Sequence, residues 1–244
     1  MINLCIDVGN TLTKVAVFDD NKMIHFENLT IGIQERMKEL ADMYHAGQVI
    51  FSSVGKEEHH IADDLGRIVP KVIVLTASTP VPVENRYETP ETLGKDRLAA
   101  VTGAHYLYPG TDLLVIDAGT AITYDIINHK GEYLGGNISP GIQMRFRALN
   151  DYTSRLPLIR PHHDYPLFGK NTADAIRVGV QSGVVSEIDG TINQYREIFP
   201  DLKVIITGGD IKYFDNKLKN FIFVISNLVM IGLNRILIYN AQPI

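Results

Sequence analysis

Two stretches of the chain share one pattern: a short apolar run, a tight polar turn, and a second run in which apolar and polar residues alternate. Residues 2–6 and 13–18 flank the first turn, and residues 113–116 and 121–127 flank the second, about halfway along the chain. Short apolar runs are typical of buried strands, and alternation is typical of half-buried strands. The pattern therefore predicts the same strand, turn and strand twice, which indicates duplicated half-domains.

The remaining periodicity continues as alternating helices and strands. Helices are predicted over residues 34–44 and 57–68, after the segment 93–97 and through residue 106, over 141–149 and from about 172 onwards. Strands are predicted over residues 49–51, 71–75, 132–137 and 204–207, with a strand and a buried helix within 221–233. This order of elements predicts an α/β fold with mixed sheets. The expected domains are residues 1–111 and 112–244.

Each turn combines an aspartate with a glycine and a threonine: Asp7-Val8-Gly9-Asn10-Thr11 and Asp117-Ala118-Gly119-Thr120. Glycine lets backbone N–H groups approach an anion, and a divalent cation would reconcile the aspartate with a phosphate. One such turn alone is more often an ordinary hairpin. Because the turn is repeated, we expect the two to face each other across a cleft that holds a metal-bound polyphosphate.

Composition narrows the class of protein. The 244 residues have a formal net charge of −5 and no cluster of Lys and Arg, which argues against nucleic acid as a partner. The single cysteine, Cys5, lies in the first apolar run and cannot form an intrachain disulfide. No signal peptide is visible, and the apolar stretch 221–233 is too short to span a bilayer. We therefore expect a cytoplasmic protein without a membrane partner.

Five motifs in order resemble the type III pantothenate kinases, within the superfamily of sugar kinases, heat-shock chaperones and actin. They are the first turn with Lys14, Gly94-Lys95-Asp96-Arg97, residues 117–123, residues 136–141, and Asn171-Thr172 followed by Ala175-Ile176. The resemblance covers essentially the whole chain. It implies two ribonuclease-H-like (actin-like ATPase) domains with mixed sheets that hold ATP in the cleft between them.

The resemblance also implies roles for individual residues. Asp96 would be the catalytic base, and Asp117 would bind a monovalent cation, K⁺ or NH₄⁺, while Mg²⁺ would accompany ATP. The implied ATP-binding residues are Asp7, Val8, Gly9, Asn10, Thr11, Leu12, Thr13, Lys14 and Thr120, with residues 207–210 near the adenosine. The implied pantothenate-binding residues are Tyr87, Gly94, Lys95, Asp96, Arg97 and Thr172. The family also implies a homodimer.

Plainer alternatives stand beside three of these roles. Asp96 could be the N-cap of the following helix, Arg97 a surface arginine, and Lys14 a solvated strand lysine. Nothing in the local residues distinguishes K⁺ from Mg²⁺ at Asp117. Thr89 occupies a position that is often Asn in the family, which bears on the shape of the pantothenate pocket.

The leading functional hypothesis is ATP-dependent phosphorylation of pantothenate to 4′-phosphopantothenate, the first step of coenzyme A biosynthesis. One alternative is another small-molecule kinase of the superfamily, acting on a sugar or polyol. A second is a non-catalytic regulator resembling the Bvg accessory factor. The presence of Asp7, Asp96, Arg97 and Asp117 favours catalysis.

Overall fold

The structure, a computed structural model, describes residues 1–9, 11–53 and 58–241. The chain forms two compact units. The first comprises Met1–Gly110, Lys130–Leu134 and Asn227–Ile244, and the second comprises Thr111–His129 and Gly135–Ser226.

The strands are β1 (Ile2–Val8), β2 (Thr13–Asp19), β3 (Lys22–Leu29), β4 (Gln48–Ser53), β5 (Lys71–Val74), β6 (Glu84–Asn85), β7 (Leu113–Ala118), β8 (Ala121–Ile127), β9 (Glu132–Pro140), β10 (Lys203–Thr207) and β11 (Phe223–Val224). The helices are α1 (Ile33–Met43), α2 (Glu58–Leu65), α3 (Lys95–Leu107), α4 (Ile142–Asp151), α5 (Thr172–Ile198) and α6 (Leu228–Tyr239), with short 3₁₀ turns at Pro90–Thr92, Ile211–Tyr213 and Asp215–Lys217.

The two sheets have the same strand order. The sheet of the first unit runs β3-β2-β1-β4-β5, and the other runs β9-β8-β7-β10-β11 with β6 added beyond β9. In each sheet the central strand pairs antiparallel with the strand that follows it and parallel with a later one, β4 or β10. The predicted repeat of strand, turn and strand, and the mixed α/β fold, are therefore confirmed.

Each sheet is covered by its own apolar core. In the first unit, β1, β2 and β4 bury their apolar side chains against Met37 and Leu40 of α1. In the second, β7 and β8 pack against α4 and the inner face of α5, which contributes Val184 and Ile188. The strands that precede both turns are therefore fixed in place by packing of fully buried side chains.

The structure differs from the sequence-based elements in detail. Strand β3 was not predicted, because its burial is mixed along its whole length and it lies at the edge of the sheet. Strand β9 continues to Pro140 instead of ending at residue 137. Residue 57, the predicted start of the second helix, lies outside the described residues.

The last helix, α6, belongs to the first compact unit. Helix α6 packs on α3, and the helices meet at Gly103 and Gly232. A Cβ on Gly103 would lie 2.6 Å from the carbonyl oxygen of Leu228, and one on Gly232 would overlap that of Ala99. Two glycines therefore permit the backbones to approach this closely. The two domains expected from the sequence, residues 1–111 and 112–244, stay a prediction.

Candidate active site

The first turn follows β1 and places Asp7 at the centre of the first sheet. Asp7 lies opposite Lys14 on β2 and opposite Ser52 on β4. Its side chain accepts a hydrogen bond from Ser52 and is buried, with 7% of the residue exposed. The Asp7 carboxylate thus lies between a lysine and a hydroxyl group, near the C-terminal ends of the parallel strands β1 and β4.

Burial is the main cause that raises the pKa of Asp7 from 3.8 to about 6; the nearby carboxylate of Asp96 also raises it, whereas Lys14 and the Ser52 hydrogen bond lower it. Desolvation disfavours the charged form, and so does a neighbouring like charge. The Asp96 carboxylate therefore acts electrostatically on Asp7 within the first unit. Perturbed carboxyl groups of this kind are common at functional sites.

The turn between β1 and β2 is closed by a hydrogen bond of 3.2 Å from the Gly9 N–H to the Leu12 carbonyl oxygen. Gly9 and Thr11 are exposed, Val8 and Leu12 are half-buried, and Thr13 is buried. Asn10, which belongs to the predicted ATP-binding set, lies outside the described residues. The exposed part of the turn presents backbone and hydroxyl groups of the type that bind anions.

Asp96 stands in the first turn of α3, whose N-cap is Gly94. The alternative of Asp96 as the N-cap is therefore wrong. Its Oδ1 accepts a hydrogen bond of 2.9 Å from the N–H of Arg97. A Cβ on Gly94 would lie 2.5 Å from that oxygen, so only glycine leaves room for this carboxylate orientation. Lys95, the first residue of the helix, is half-buried.

Arg97 is buried, with 5% of the residue exposed, so the alternative of a surface arginine is also wrong. Its guanidinium carbon lies 5.6 Å from the ring centroid of Tyr87. Tyr87 in turn stacks on the fully buried Tyr133, with centroids 6.1 Å apart and ring planes within 10°. The structure thus places Tyr87, Asp96 and Arg97 in one neighbourhood.

Sequence reasoning missed Ser52 and Tyr133. Ser52 follows a wholly buried run in β4, and a polar residue at the end of an apolar strand was the available signal. The position of Tyr133 beside Tyr87 depends on the pairing between β6 and β9, in which Asn85 lies opposite Tyr133. No local pattern reveals that pairing, because β6 has only two residues.

The second turn repeats the geometry of the first with different partners. Asp117 at the end of β7 lies opposite Thr123 on β8 and Thr207 on β10. The Gly119 N–H donates to the Ala121 carbonyl oxygen over 3.0 Å, which closes the turn. Asp117 is half-buried and Thr120 is exposed. Where the first unit has a lysine and a serine beside its aspartate, the second has two threonines.

Two further backbone segments pack against this second turn. The Gly141 N–H donates to the Thr120 carbonyl oxygen over 3.1 Å, and the Asp210 N–H donates to the Ala118 carbonyl oxygen over 3.0 Å. Gly208 has φ of +105°, and a Cβ there would overlap the backbone of Ala118. Burial raises the pKa of Asp210, although Lys212 opposes the shift.

Thr172, the remaining predicted substrate residue, is exposed at the first position of α5. The Asn171 side chain caps this helix by accepting a hydrogen bond of 2.9 Å from the Asp174 N–H. Thr172 belongs to the second unit, with Thr120 and Asp117, whereas the other predicted substrate residues belong to the first.

The described part of the chain holds neither a preformed metal cluster nor a membrane-spanning helix. No three or more His, Cys, Asp and Glu side chains converge as a metal-binding group among its residues. Within residues 1–9, 11–53 and 58–241, no helix has the length and apolar character needed to cross a membrane.

Comparison with solved structures identifies the fold. A conserved protein of Campylobacter jejuni, named as a candidate Baf family transcriptional activator, matches with a TM-score of 0.65 and 23% identity over 97% of this chain and 98% of that one. A ROK hexokinase of Thermus thermophilus matches with a TM-score of 0.54 and 11% identity over 99% of this chain and 100% of that one. At these identities the likeness shows the fold alone, which is that of the actin-like ATPases and ROK sugar kinases.

Sequence comparison is more specific. The family model of the type III pantothenate kinases matches residues 3–194. A type III pantothenate kinase of Phocaeicola vulgatus is 45% identical over 241 residues, which cover 99% of this chain and 100% of that relative. The matched residues include both turns, the Asp96 segment and the start of α5. The chain therefore belongs to the type III pantothenate kinase family.

Proposed function

We propose that this protein transfers the γ-phosphoryl group of ATP to the primary hydroxyl of pantothenate, which gives ADP and 4′-phosphopantothenate and begins coenzyme A biosynthesis. The observation that carries the proposal is the pair formed by Asp96 and Arg97 at the start of α3. Adjacent positions there offer a proton acceptor and a buried guanidinium beside an aromatic ring. Family membership supplies the substrate.

Asp96 acts as the general base in this proposal. The hydroxyl oxygen of pantothenate forms a bond to the γ-phosphorus, the bond from that phosphorus to the bridging oxygen of ADP breaks, and the hydroxyl proton moves to the Asp96 carboxylate. The hydrogen bond from the Arg97 N–H to Oδ1 keeps the carboxylate in one orientation. The other oxygen, Oδ2, is then the proposed proton acceptor.

Arg97 binds the carboxylate of pantothenate and thereby selects the substrate. A guanidinium presents two parallel N–H donors that match a carboxylate, which a lone ammonium group does not. Tyr87 and the Gly94–Lys95 backbone complete the proposed substrate contacts in the first unit. Thr172 keeps the substrate-binding role that the family resemblance implies for it. A neutral sugar has no carboxylate that could pair with Arg97, so the buried arginine favours pantothenate over a sugar or polyol as the substrate.

The first turn binds the nucleotide. Residues 7–14 bind the phosphates through backbone groups and through Lys14. Thr120 of the second turn keeps the ATP-binding role that the family resemblance implies for it. Lys14 lies opposite Asp7 in the sheet, so its charge is held at the end of the strand. Mg²⁺ accompanies ATP and neutralises charge that develops on the phosphates.

Asp117 holds a monovalent cation, K⁺ or NH₄⁺. The donor set fits such an ion, because a half-buried carboxylate faces Thr123 and Thr207 across the two neighbouring strands, and all of these groups offer oxygen. When bound, the cation supplies positive charge near the phosphates. Asp117 is the group that keeps it there.

An ADP-release assay tests this function directly. We expect turnover with pantothenate and none above background with glucose, mannose or glycerol. Asp96→Asn should lower kcat by roughly a hundredfold to ten-thousandfold, which is the usual contribution of a general base. Glu91→Gln, an exposed change in the preceding 3₁₀ turn, is the control and should leave kcat unchanged. A folded wild type without pantothenate-dependent ADP release would contradict the proposal and favour the regulator.

We also propose a cytoplasmic homodimer. The family resemblance implies the dimer, and α5 carries exposed glycines at positions 179 and 183, where an added Cβ would meet no side chain or neighbouring element of the described chain within 4 Å. Leu167 and Phe168 nearby in sequence are 90% and 64% exposed. The cytoplasm is where ATP is available to an enzyme of this type.

A further inference from the structure

A network of side chains in the second unit remains unused by the proposed mechanism. Its centre is the ion pair between Arg145 of α4 and Glu187 of α5, in which Nη2 lies 2.6 Å from Oε2. The two side chains are 21% and 30% exposed, so solvent screens the pair only in part. Neither residue belongs to a motif that the sequence analysis assigned to ATP or pantothenate.

Arg145 also holds the end of β9. Its Nε donates to the Pro140 carbonyl oxygen over 2.8 Å, and Nη2 donates to the Ser139 Oγ over 2.8 Å. A positive charge near the N-terminus of a helix is unfavourable for the helix itself. The position of Arg145 near the start of α4 is therefore explained by these contacts rather than by helix stability.

Glu187 extends the network to a third element. Its Oε1 accepts a hydrogen bond of 2.8 Å from the hydroxyl of Tyr124, a β8 residue that is 2% exposed. Burial alone would raise the pKa of Glu187, but hydrogen bonds from Arg145, Ser139 and Tyr124 together lower it, so the carboxylate is ionised at neutral pH. Tyr124 is the neighbour in sequence of Thr123, which lies opposite Asp117.

The segment that Arg145 holds is the one that touches the second turn. Gly141, which follows Pro140, donates its N–H to the Thr120 carbonyl oxygen, and a Cβ on Gly141 would overlap the carbonyl oxygens of Gly119 and Thr120. The backbone of the corner between β9 and α4 is thus in direct contact with the backbone of the turn. Any movement of this corner would displace Gly119 and Thr120.

We propose that Arg145 and Glu187 are positioning residues that clamp the Pro140–Gly141 corner against Gly119–Thr120 and so hold the second turn in its nucleotide- and cation-binding form. The inference rests on the proposed function for the role of the turn, and it adds two residues to which that function assigned nothing. Both act through the backbone of Pro140 and Gly141, and neither is among the residues proposed to bind ATP or pantothenate.

The test compares binding and kinetics in matched variants. Arg145→Met removes the charge and all three side-chain hydrogen bonds but keeps an unbranched side chain. Arg145→Lys keeps the charge but lacks the several N–H donors of the guanidinium group. We expect Arg145→Met to weaken ATP binding and to raise the half-activating K⁺ concentration, each by about tenfold, and to leave the pantothenate KM within twofold. Arg145→Lys should fall between it and the wild type. Arg147→Met, an exposed change on the same helix, should alter none of these values.

A double variant separates clamping from general stability. If the two residues act as one unit, Arg145→Met combined with Glu187→Gln should impair ATP binding no more than Arg145→Met alone. Glu187→Gln and Arg145→Lys nearly preserve side-chain volume. If Arg145→Met does not fold, these two variants replace it in the same measurements. A lower melting temperature with unchanged ATP affinity and K⁺ response would overturn the proposal, as would an equal rise in the KM values of both substrates.

ATP affinity is measured by calorimetry without pantothenate, so this readout does not depend on turnover. If the wild type binds ATP but phosphorylates nothing, the proposed function fails while the effect of Arg145 on binding still decides the inference. If the wild type turns over pantothenate and Arg145→Met binds ATP normally, only the inference fails.

Discussion

At the scale of single residues, Asp7 is a buried carboxyl group in the turn that is proposed to bind the nucleotide. Its pKa of about 6 in the folded protein exceeds the unfolded value of 3.8, so the folded state binds the proton more tightly. Ionisation of Asp7 therefore destabilises the folded state as the pH rises from about 4 to about 6, and the penalty is complete above that range. The shift of about two units corresponds to about 3 kcal/mol.

Asp7→Asn should consequently stabilise the protein at neutral pH. We expect the free energy of unfolding of the variant to equal that of the wild type near pH 4 and to exceed it by about 3 kcal/mol above pH 7, because the neutral amide escapes the penalty. Urea unfolding at a series of pH values measures the difference. Asp19→Asn, an exposed change at the end of β2, is the control. A constant difference between Asp7→Asn and the wild type at all pH values would contradict the shift.

Arg97 provides a test of substrate recognition. Arg97→Ala should raise the pantothenate KM about ten- to hundredfold and change the ATP KM little, since loss of a charge-assisted hydrogen bond costs on the order of 1.5–3 kcal/mol. Steady-state kinetics with each substrate varied in turn measures both values, with exposed Arg147→Ala as the control. Pantothenol, which lacks the carboxylate, should bind poorly to the wild type. Equal rises in both KM values would argue against a carboxylate contact.

Asp117 provides a test of the cation. Replacement of Na⁺ by K⁺ or NH₄⁺ should activate the wild type, and Asp117→Asn should abolish most of that response because an amide offers a dipole in place of a full charge. The rate is measured against K⁺ concentration at fixed ionic strength. Asp112→Asn, in the loop before the same strand, is the control. An unchanged K⁺ activation curve in Asp117→Asn would return this aspartate to a purely structural role.

At the scale of elements, the contact between α3 and α6 depends on the absence of two side chains. Gly232→Ala should destabilise the protein by about 3 kcal/mol, because the added methyl group overlaps the Ala99 carbonyl oxygen and forces the helices apart. Gly190→Ala is the matched control, since it lies exposed in α5, where a Cβ would meet no neighbouring element of the described chain within 4 Å. It should stabilise by roughly 0.5–1 kcal/mol through helix propensity. Thermal unfolding of both variants measures the contrast, and similar effects would refute the packing argument.

The elements that sequence reasoning predicted were those with a local signal. The paired strands and turns were found because apolar runs, glycine and aspartate lie together in the chain, and α3 and α5 because their beginnings carry recognisable motifs. Strand β6 and its partner Tyr133 were missed, since a strand of two residues is defined by its pairing rather than by its own composition. The apolar pattern of α6 likewise does not say which sheet the helix covers.

In the candidate site, too, residues with a local sequence signal were predicted, whereas residues brought together by long-range packing were not. Asp96 and Arg97 were predicted because they are adjacent in a motif, and their alternatives as cap and surface residues were removed only by burial and by the N-cap at Gly94. The electrostatic effect of Asp96 on Asp7 could not be predicted from spacing, since the two residues lie far apart in the sequence. Ser52 and the Arg145–Glu187 pair likewise depend on long-range packing.

At the scale of the whole molecule, the proposed dimer has a direct measurement. Light scattering of the purified chain should give a mass corresponding to two copies, because α5 presents uncovered glycines and the preceding loop exposes Leu167 and Phe168. Gly183→Arg should shift the mass towards one copy by filling that face with a charged side chain. Lys130→Glu, an exposed change remote in sequence, is the control. A wild-type mass of one copy at all concentrations would contradict the dimer.

The return of α6 to the first unit sets the order in which the two cores are completed during translation. Asn3 of β1 is made early, yet its buried partner Asn234, whose Oδ1 accepts a hydrogen bond of 2.8 Å from the Asn3 Nδ2, follows 231 residues later. The second unit is contiguous except for residues 130–134, and all of its residues are synthesised before α6. The nascent chain therefore carries an unfinished N-terminal core until α6 has emerged, so the first sheet to be translated is the last to be fully covered.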